Sequence, residues 1–338
     1  MTTAPTMAWA MAPARMPAVA GTLDRARSLV TPALDIALER LSPELQGAVQ
    51  HHFAGSGKFV RAGLVLLSAA AVGADEGVGL VGAVAIELVH NFSLVHDDII
   101  DGDIERRHRP TVWAEFGVGQ AIISGDALAT LALQLLLEDA TPERVRAAVA
   151  LATATQAMIA GQAEDMASER RSSLTVEECL HVAAGKTGAL LSCAASLGAV
   201  LAGAPAPAVD ALADFGRHLG IAFQAVDDVL GIWGEAAVTG KPVGNDLRLH
   251  KKTLPVAIAC AAGDADPELG RLLAGELSDS DVDAAASALA ACGAREAAMA
   301  IGESHLQAAL ASLERVDLEL APVTELAAIA HFVTARDR

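Results

Sequence analysis

Three acids, Asp97, Asp98 and Asp101, stand in the run HDDIID, with Asp97 and Asp101 four residues apart. On a helix this spacing puts two carboxylates on one face, one turn apart. Such a pair repels itself unless a cation sits between. Mg²⁺ suits the position, because it takes oxygen ligands, keeps several waters, and is commonly held by one or two carboxylates together with phosphate oxygens. A second acid pair, Asp227 and Asp228, also follows an apolar stretch. Two such acidic ends facing one cavity would bind several Mg²⁺ ions with a diphosphate between them. Directly after the first acids, GDIERRHRPT carries Arg106, Arg107 and Arg109, the densest basic cluster in the chain. A guanidinium fork bonds two phosphate oxygens at once; the other use of such a cluster is a surface patch paired with Asp103 and Glu105. Upstream, GSGKFVR supplies Lys58 and Arg61. It is not a phosphate-binding P-loop, which needs a longer Gly-to-Gly spacing before Gly-Lys-Ser/Thr.

The elements that must hold these residues read as helices. Residues 87–100 are long, apolar and free of Pro and Gly, and run into Asp101. Carboxylates at the C-terminal end of a helix meet the negative end of its dipole, which costs stability unless a cation neutralises them. The stretch 215–233 repeats the theme around Asp227 and Asp228. His90 precedes Asp97 by seven residues, so the two share nearly one helix face. Helical periodicity recurs from about Leu23 to the C-terminus, punctuated by short breaks such as GSG at 55–57 and LSDSD at 277–281. These are too short to link domains. The expectation is one all-α domain over 23–338, preceded by a disordered tail over 1–22 that is rich in Ala, Pro and Met.

Composition agrees. Of the 338 residues, 53% are hydrophobic, aromatics are 3%, and Tyr is absent. The apolar content is mostly Ala, Leu and Val, and Ala and Leu favour helices. The mean hydropathy is +0.40. The formal charge of −18 speaks against a nucleic-acid partner. Cys179, Cys193, Cys260 and Cys292 match no zinc spacing, which suits a reduced, cytoplasmic compartment. The charge-free stretch from Thr187 to the Pro205 and Pro207 breaks is Ala- and Gly-rich, and it reads as a buried helix, with no membrane span expected.

The motifs GKFVR, HNFSLVHDDIID, RRHRPT, GQAED, GKTG, FQAVDD and GKPVGNDLRLHKKTLP occur together between Gly55 and Pro255. In this combination the chain resembles the trans-prenyl diphosphate synthases, which make geranyl, farnesyl and geranylgeranyl diphosphates. The resemblance implies an isoprenoid synthase-type helical bundle around a central apolar cavity, a homodimer, and Mg²⁺, three ions with bound diphosphate. It implies that Asp97 and Asp101 are metal ligands supported by Asp98, and that Asp227, beside Asp228, holds a further ion. Lys58, Arg61, His90 and Arg107 match the positions that hold isopentenyl diphosphate. Arg106, Lys186, Lys241 and Lys251 match those that hold the allylic diphosphate. Thr187 and Gln224 match residues whose oxygens face the developing carbocation.

One departure concerns the second acidic motif. The family commonly has DDxxD there, whereas this chain has DDVLG, with Gly231 last. Either Asp227 carries the metal, or Asp246 of GNDLR takes part from the next segment. For product length, the resemblance points to Phe92 and Ser93, five and four residues before Asp97. Phe92 lies roughly 7 Å up the helix at 1.5 Å per residue. With small Ser93 beside it, geranylgeranyl diphosphate is the expected product and farnesyl diphosphate the second. Three competing readings are a class I terpene cyclase, an inactive regulatory subunit and a membrane-embedded prenyltransferase, the last opposed by the expected lack of membrane spans. NDLRLHKKT lacks the Ser and Glu of the cyclase motif, and the intact first motif and Arg pair oppose the regulatory subunit.

Overall fold

A computed structural model describes residues 16–55, 57–171, 173–235, 243–261, 272 and 277–335. Lys241 lies outside the described residues. The chain is all-α, as the scarcity of aromatic residues and the abundance of Ala and Leu predict.

Among the described residues, ten α-helices lead into the central region: α1 (Met16–Leu38), α2 (Pro43–Phe53), α3 (Val60–Ala71), α4 (Leu80–Ile100), α5 (Val112–Phe116), α6 (Val118–Leu137), α7 (Pro142–Ser168), α8 (Val176–Ala183), α9 (Ala189–Leu201) and α10 (Ala206–Trp233). The turn α11 (Asn245–Arg248) follows, then α12 (Leu254–Ala261), α13 (Asp279–Ala291), α14 (Ala294–Leu313) and α15 (Leu320–Thr334). Starts are marked by local chemistry. The Thr141 hydroxyl accepts from the Arg144 N–H ahead of Pro142, and Thr175 with Glu178 forms a reciprocal capping box at α8. Helix α1 begins at Met16, seven residues before the expected Leu23. Val19 and Leu23 on its inner face are buried in the main core, and that burial draws the added turns into the helix.

The core runs through the middle of the bundle. Helix α10 packs on α9 and α14, α3 on α9 and α4, and α4 on α6. Phe215, Leu64, Leu88, Leu128, Leu197 and Leu219 are fully enclosed there. Helix α9 is charge-free and buried nearly all round, which bears out a core role for that stretch. By length and apolar composition alone, three stretches of the described residues would suffice to cross a bilayer: Glu76–Ile100, Val118–Leu137 and Val176–Leu201. In the fold they sit in the bundle, with 61%, 44% and 67% of their apolar windows buried.

Helix α4 ends on Ile100 with Asp101 as its C-cap, so its acids occupy the last turn as expected. Helix α10 differs from expectation. It begins at Ala206, and Asp227 and Asp228 lie inside it with five residues of helix beyond them. The apolar residues Val229, Leu230 and Ile232 are buried and prolong the helix past the acids.

A small departure from pure helix follows α4. Glu105–Arg106 and Arg109–Pro110 pair as a minimal antiparallel hairpin. Its two turn residues, Arg107 and His108, have φ of 53° and 60°. A two-residue hairpin of this hand needs positive φ at both positions, normally met by Asn or Gly. Arg and His carry a steric cost there, of the kind found where the surrounding structure fixes a functional group.

Candidate active site

A cavity of about 1120 Å³ opens between α4 and α10 and is floored by α8, α9 and the segment joining them. His90, Leu94, Asp97 and Asp101 line it from α4, and Gln224, Asp227, Asp228 and Gly231 line it from α10. Their spacings of three or four residues are those of single helix faces. The sequence-identified cations Lys58, Arg61, Arg106, Arg107, Lys186 and Lys251 also line this cavity, as does Thr187. Asp98 lies behind the wall. Phe92 and Ser93 do not line the cavity. Phe92 is 8% exposed, and its ring meets that of His96 edge-on at 5.0 Å in the seam between α4 and α6. The Ser93 hydroxyl donates to the His90 carbonyl at 2.8 Å.

On the α4 side, burial outweighs the nearby Lys186 charge and, together with Asp101, holds the Asp97 carboxyl up at about 6. Asp98 is buried and accepts from Arg106 Nε at 2.7 Å. Burial raises its pKa, with Arg106 opposing the shift. Among the described residues, its Oδ2 has no hydrogen-bond partner. Arg106 and Arg107 leave the hairpin in different directions. Arg106 supports Asp98, and Arg107 donates to the Gly55 carbonyl at 2.8 Å, tying the hairpin to the loop that carries Lys58. The Lys58 ammonium rests 5.5 Å from the Phe332 ring centroid. Arg61 Nη1 lies 3.2 Å from His90 Nε2. Arg has only donors, so the imidazole accepts at Nε2. Burial, then the Arg61 and Arg107 charges, push the His90 pKa well below its usual range, which keeps the ring neutral for that bond.

Sequence reasoning left several of these supports unassigned. Glu87, one turn before His90, is buried and accepts from the Ala62 N–H at 3.1 Å. Its burial raises its pKa, and the adjacent Arg61 opposes this. A lone acid in an apolar helix, three residues from a singled-out histidine, was an available signal. Asn91 donates to the Glu87 carbonyl at 2.8 Å and faces His52 Nε2 at 2.9 Å.

On the opposite floor, the helix does not continue regularly from α8 into α9. Residues Ala184–Gly188 form one π-helical turn, which carries Lys186 and Thr187 into the cavity. Such turns recur at functional sites. Helix α7 crosses this turn closely at Gly161, where any Cβ would overlap the Lys186 backbone N–H. One turn along α7, Asp165 accepts from Lys186 Nζ at 2.6 Å. Burial pulls the Lys186 pKa down, but the Asp165 bond and the Asp97 and Asp101 charges outweigh it and leave the ammonium secured. Thr187 donates to Gln224 Oε1 at 2.9 Å, Gln224 donates to Asp228 Oδ1 at 2.8 Å, and the Leu254 N–H donates to Asp228 Oδ2 at 2.8 Å. Burial holds the Asp228 carboxyl up at about 7 in spite of these bonds.

The donor set fits a hard cation. Every acid facing the cavity offers oxygen, and the proximity of Asp97 and Asp101, which Lys186 offsets only in part, favours a cation between them. Among the described residues no three His, Cys or acidic side chains close into a full metal site. Mg²⁺ completes its shell with water and phosphate oxygens, so one or two carboxylates suffice to hold it. Two acidic helix faces, ringed by cations and opening on an apolar floor, describe a site for a diphosphate with a hydrocarbon tail.

The family model described as polyprenyl synthetase matches residues 42–290. The chain belongs to that family. The synthase is 42% identical over 331 residues to a (2E,6E)-farnesyl diphosphate synthase of Mycobacterium tuberculosis, covering 93% of this chain and 92% of that protein. It is 42% identical over 307 residues to a geranylgeranyl diphosphate synthase of the same organism, covering 86% and 87%. Among solved structures, the polyprenyl synthetase of Streptomyces coelicolor A3(2) superposes with a TM-score of 0.90 at 44% identity, covering 94% of this chain and all of that one. The synthase is accordingly a transferase of the chain-elongating prenyl diphosphate class, with the all-α isoprenoid synthase fold. The family acts on allylic diphosphates and isopentenyl diphosphate, and generally uses Mg²⁺.

Proposed function

We propose that this synthase joins isopentenyl diphosphate to an allylic diphosphate by ionisation, condensation and elimination, with geranylgeranyl diphosphate as its end product. The observation that carries the reading is the pairing of two acidic helix faces, Asp97 and Asp101 against Asp227 and Asp228, across one cation-ringed cavity. Bound Mg²⁺, three ions with the diphosphate, would supply charge stabilisation to the departing group. Asp97, Asp101 and Asp227 would hold the ions, with Asp98 and Asp228 as supporting acids. Lys186 and Arg106, with Lys251 and Lys241, hold the allylic diphosphate where negative charge develops. Lys58, Arg61, His90 and Arg107 hold the isopentenyl diphosphate, and the neutral His90 is kept as an acceptor for Arg61. The Thr187 and Gln224 oxygens face the allylic cation. The apolar lining of Leu94, Leu191, Leu219 and Phe223 excludes water that would trap that cation. The proton lost at the end passes to the released diphosphate.

The product assignment rests on the α4 wall. Phe92 is turned toward His96 and α6, and Ser93 is small, so neither shortens the cavity beside Leu94. The farnesyl and geranylgeranyl synthases among the relatives make farnesyl diphosphate the second product to test for. We further propose a cytoplasmic homodimer. Exposed apolar residues along α6 and α7, Val118, Ile122 and Ile123 with Val145 and Val149, support a face between copies.

Purified protein incubated with Mg²⁺, isopentenyl diphosphate and each allylic diphosphate is expected to yield a C20 diphosphate by mass spectrometry. A cyclised hydrocarbon from geranylgeranyl diphosphate alone would favour the cyclase reading, and absence of any turnover the regulatory subunit. Asp97→Ala is expected to abolish turnover with an unchanged circular dichroism spectrum.

A further inference from the structure

Gly231 stands four residues after Asp227, on the same face of α10 and one turn along. It is the position at which the family's second motif carries its outer acid. A Cβ built on Gly231 would overlap the Asp246 carboxylate and lie 2.5 Å from the Asp246 Cγ. The volume that a side chain at 231 would occupy is therefore filled by a carboxylate arriving from α11. Asp246 and Gly231 both line the cavity.

The turn that delivers Asp246 is anchored. Leu247 is 2% exposed and packs in a small core with Ile232 and Val282. Arg248 Nη2 donates to Asp279 Oδ1 at 2.6 Å, and its Nη1 donates to the Val243 carbonyl at 2.5 Å. The Lys251 N–H donates to the Asp246 carbonyl at 2.9 Å. Leu247 and the Arg248–Asp279 pair tie α11 to α10 and α13, so tertiary packing adds to the segment's own bonds in positioning Asp246.

We propose that Asp246 supplies, from α11, the carboxylate that the second acidic motif lacks at residue 231, and that Gly231 is required because the Asp246 side chain fills its space. The acid acts on the cation-bound diphosphate from the α10 side, beside Asp227. This rests on reading the two acidic faces as the diphosphate site.

The test is an exchange of the two positions, read by calorimetric binding of inorganic diphosphate in the presence and absence of Mg²⁺. Asp246→Asn keeps the shape and removes the charge, and is expected to weaken Mg²⁺-dependent binding by about tenfold or more. Gly231→Asp is expected to weaken it as well, because two carboxylates then compete for one volume. The double variant Gly231→Asp/Asp246→Gly is expected to bind more tightly than either single variant, since the acid returns to α10 and the clash is gone. Wild-type affinity in Asp246→Asn overturns the proposal, and so does a double variant no better than Asp246→Asn. Circular dichroism checks folding, and Asp246→Asn carries the test if Gly231→Asp does not fold. Asp97→Ala separates the two levels. If it loses Mg²⁺-dependent binding while Asp246→Asn does not, only the role of Asp246 fails. If neither variant loses it, the diphosphate-site reading fails too.

Discussion

The crossing of α7 over the π turn gives a direct route from packing to rate, and Gly161→Ala probes it. A Cβ at Gly161 would lie 2.8 Å from the Gly185 carbonyl carbon and 3.0 Å from the Lys186 Cα, where ordinary contact begins at 3.4 Å. The obstructing atoms are backbone, so relief requires the two segments to part by about half an ångström or more. Overpacking of this kind costs about 1–3 kcal/mol, offset by up to about 1 kcal/mol from replacing a glycine inside a helix. The net loss of stability is therefore modest, a thermal midpoint lower by a few degrees. The rate should fall much further. The displaced segment carries Lys186 and Thr187, and misplacement of a positioned group by an ångström can cost about a hundredfold. Expected are a kcat reduced at least about tenfold and a smaller change in KM for isopentenyl diphosphate, whose contacts lie across the cavity. Steady-state assay with labelled isopentenyl diphosphate, beside a thermal melt, reads both. A variant that melts like the parent and keeps its kcat would refute the claim that this crossing positions Lys186.

Gln224→Leu removes the bonds to both Thr187 and Asp228; at about 1 kcal/mol for the neutral bond and 1.5–3 kcal/mol for the one to the carboxylate, chemical denaturation should register a loss of roughly 2–4 kcal/mol, and a loss below about 1 kcal/mol would show that the chain of bonds is not intact. The carboxyls of Asp97 and Asp228 are held at about 6 and about 7, above the usual 3.8. The folded metal-free protein then binds protons more tightly than the unfolded chain, so these groups add stability below pH 4 that is lost as pH rises through 6 to 7. Mg²⁺ needs the ionised acids, so the rise in melting temperature on adding Mg²⁺ and diphosphate should shrink between pH 7.5 and pH 5.5; a constant increment would contradict the assignment. Phe92→Ala leaves the cavity lining intact and should leave the product length unchanged, with a longer product by mass spectrometry refuting the reading that Phe92 does not close the cavity.

What could be read in advance follows from the range of the interactions concerned. Helix α4 and its terminal acids were legible, because apolar periodicity and the i, i+4 spacing are local. The cations were legible as residues, but their partners were not, since Lys186 to Asp165 and Arg107 to Gly55 are pairings across the fold. The hairpin at Arg107 and His108 escaped because neither residue favours positive φ, and it is tertiary contact that holds them there. The extent of α10 beyond Asp228 was set by burial of Val229, Leu230 and Ile232 rather than by a cap. The doubt over DDVLG was visible in sequence, while the closeness of Asp246 to Gly231 needed the coordinates of a separate turn.

The π turn at Ala184–Gly188 has a consequence for registration. A π turn bonds each N–H five residues back, so it holds one residue more than an α turn. At 3.6 residues per turn, one extra residue offsets everything downstream by about 100° around the helix axis. Helix α8 can thus present Cys179 and Ala183 to the cavity while α9, on nearly the same axis, keeps its own apolar faces set against α3, α7 and α10. A single-residue deletion between 184 and 188 would restore an uninterrupted helix and force a choice between those two alignments. The length of this short segment is therefore constrained independently of the identities of Lys186 and Thr187 that it carries.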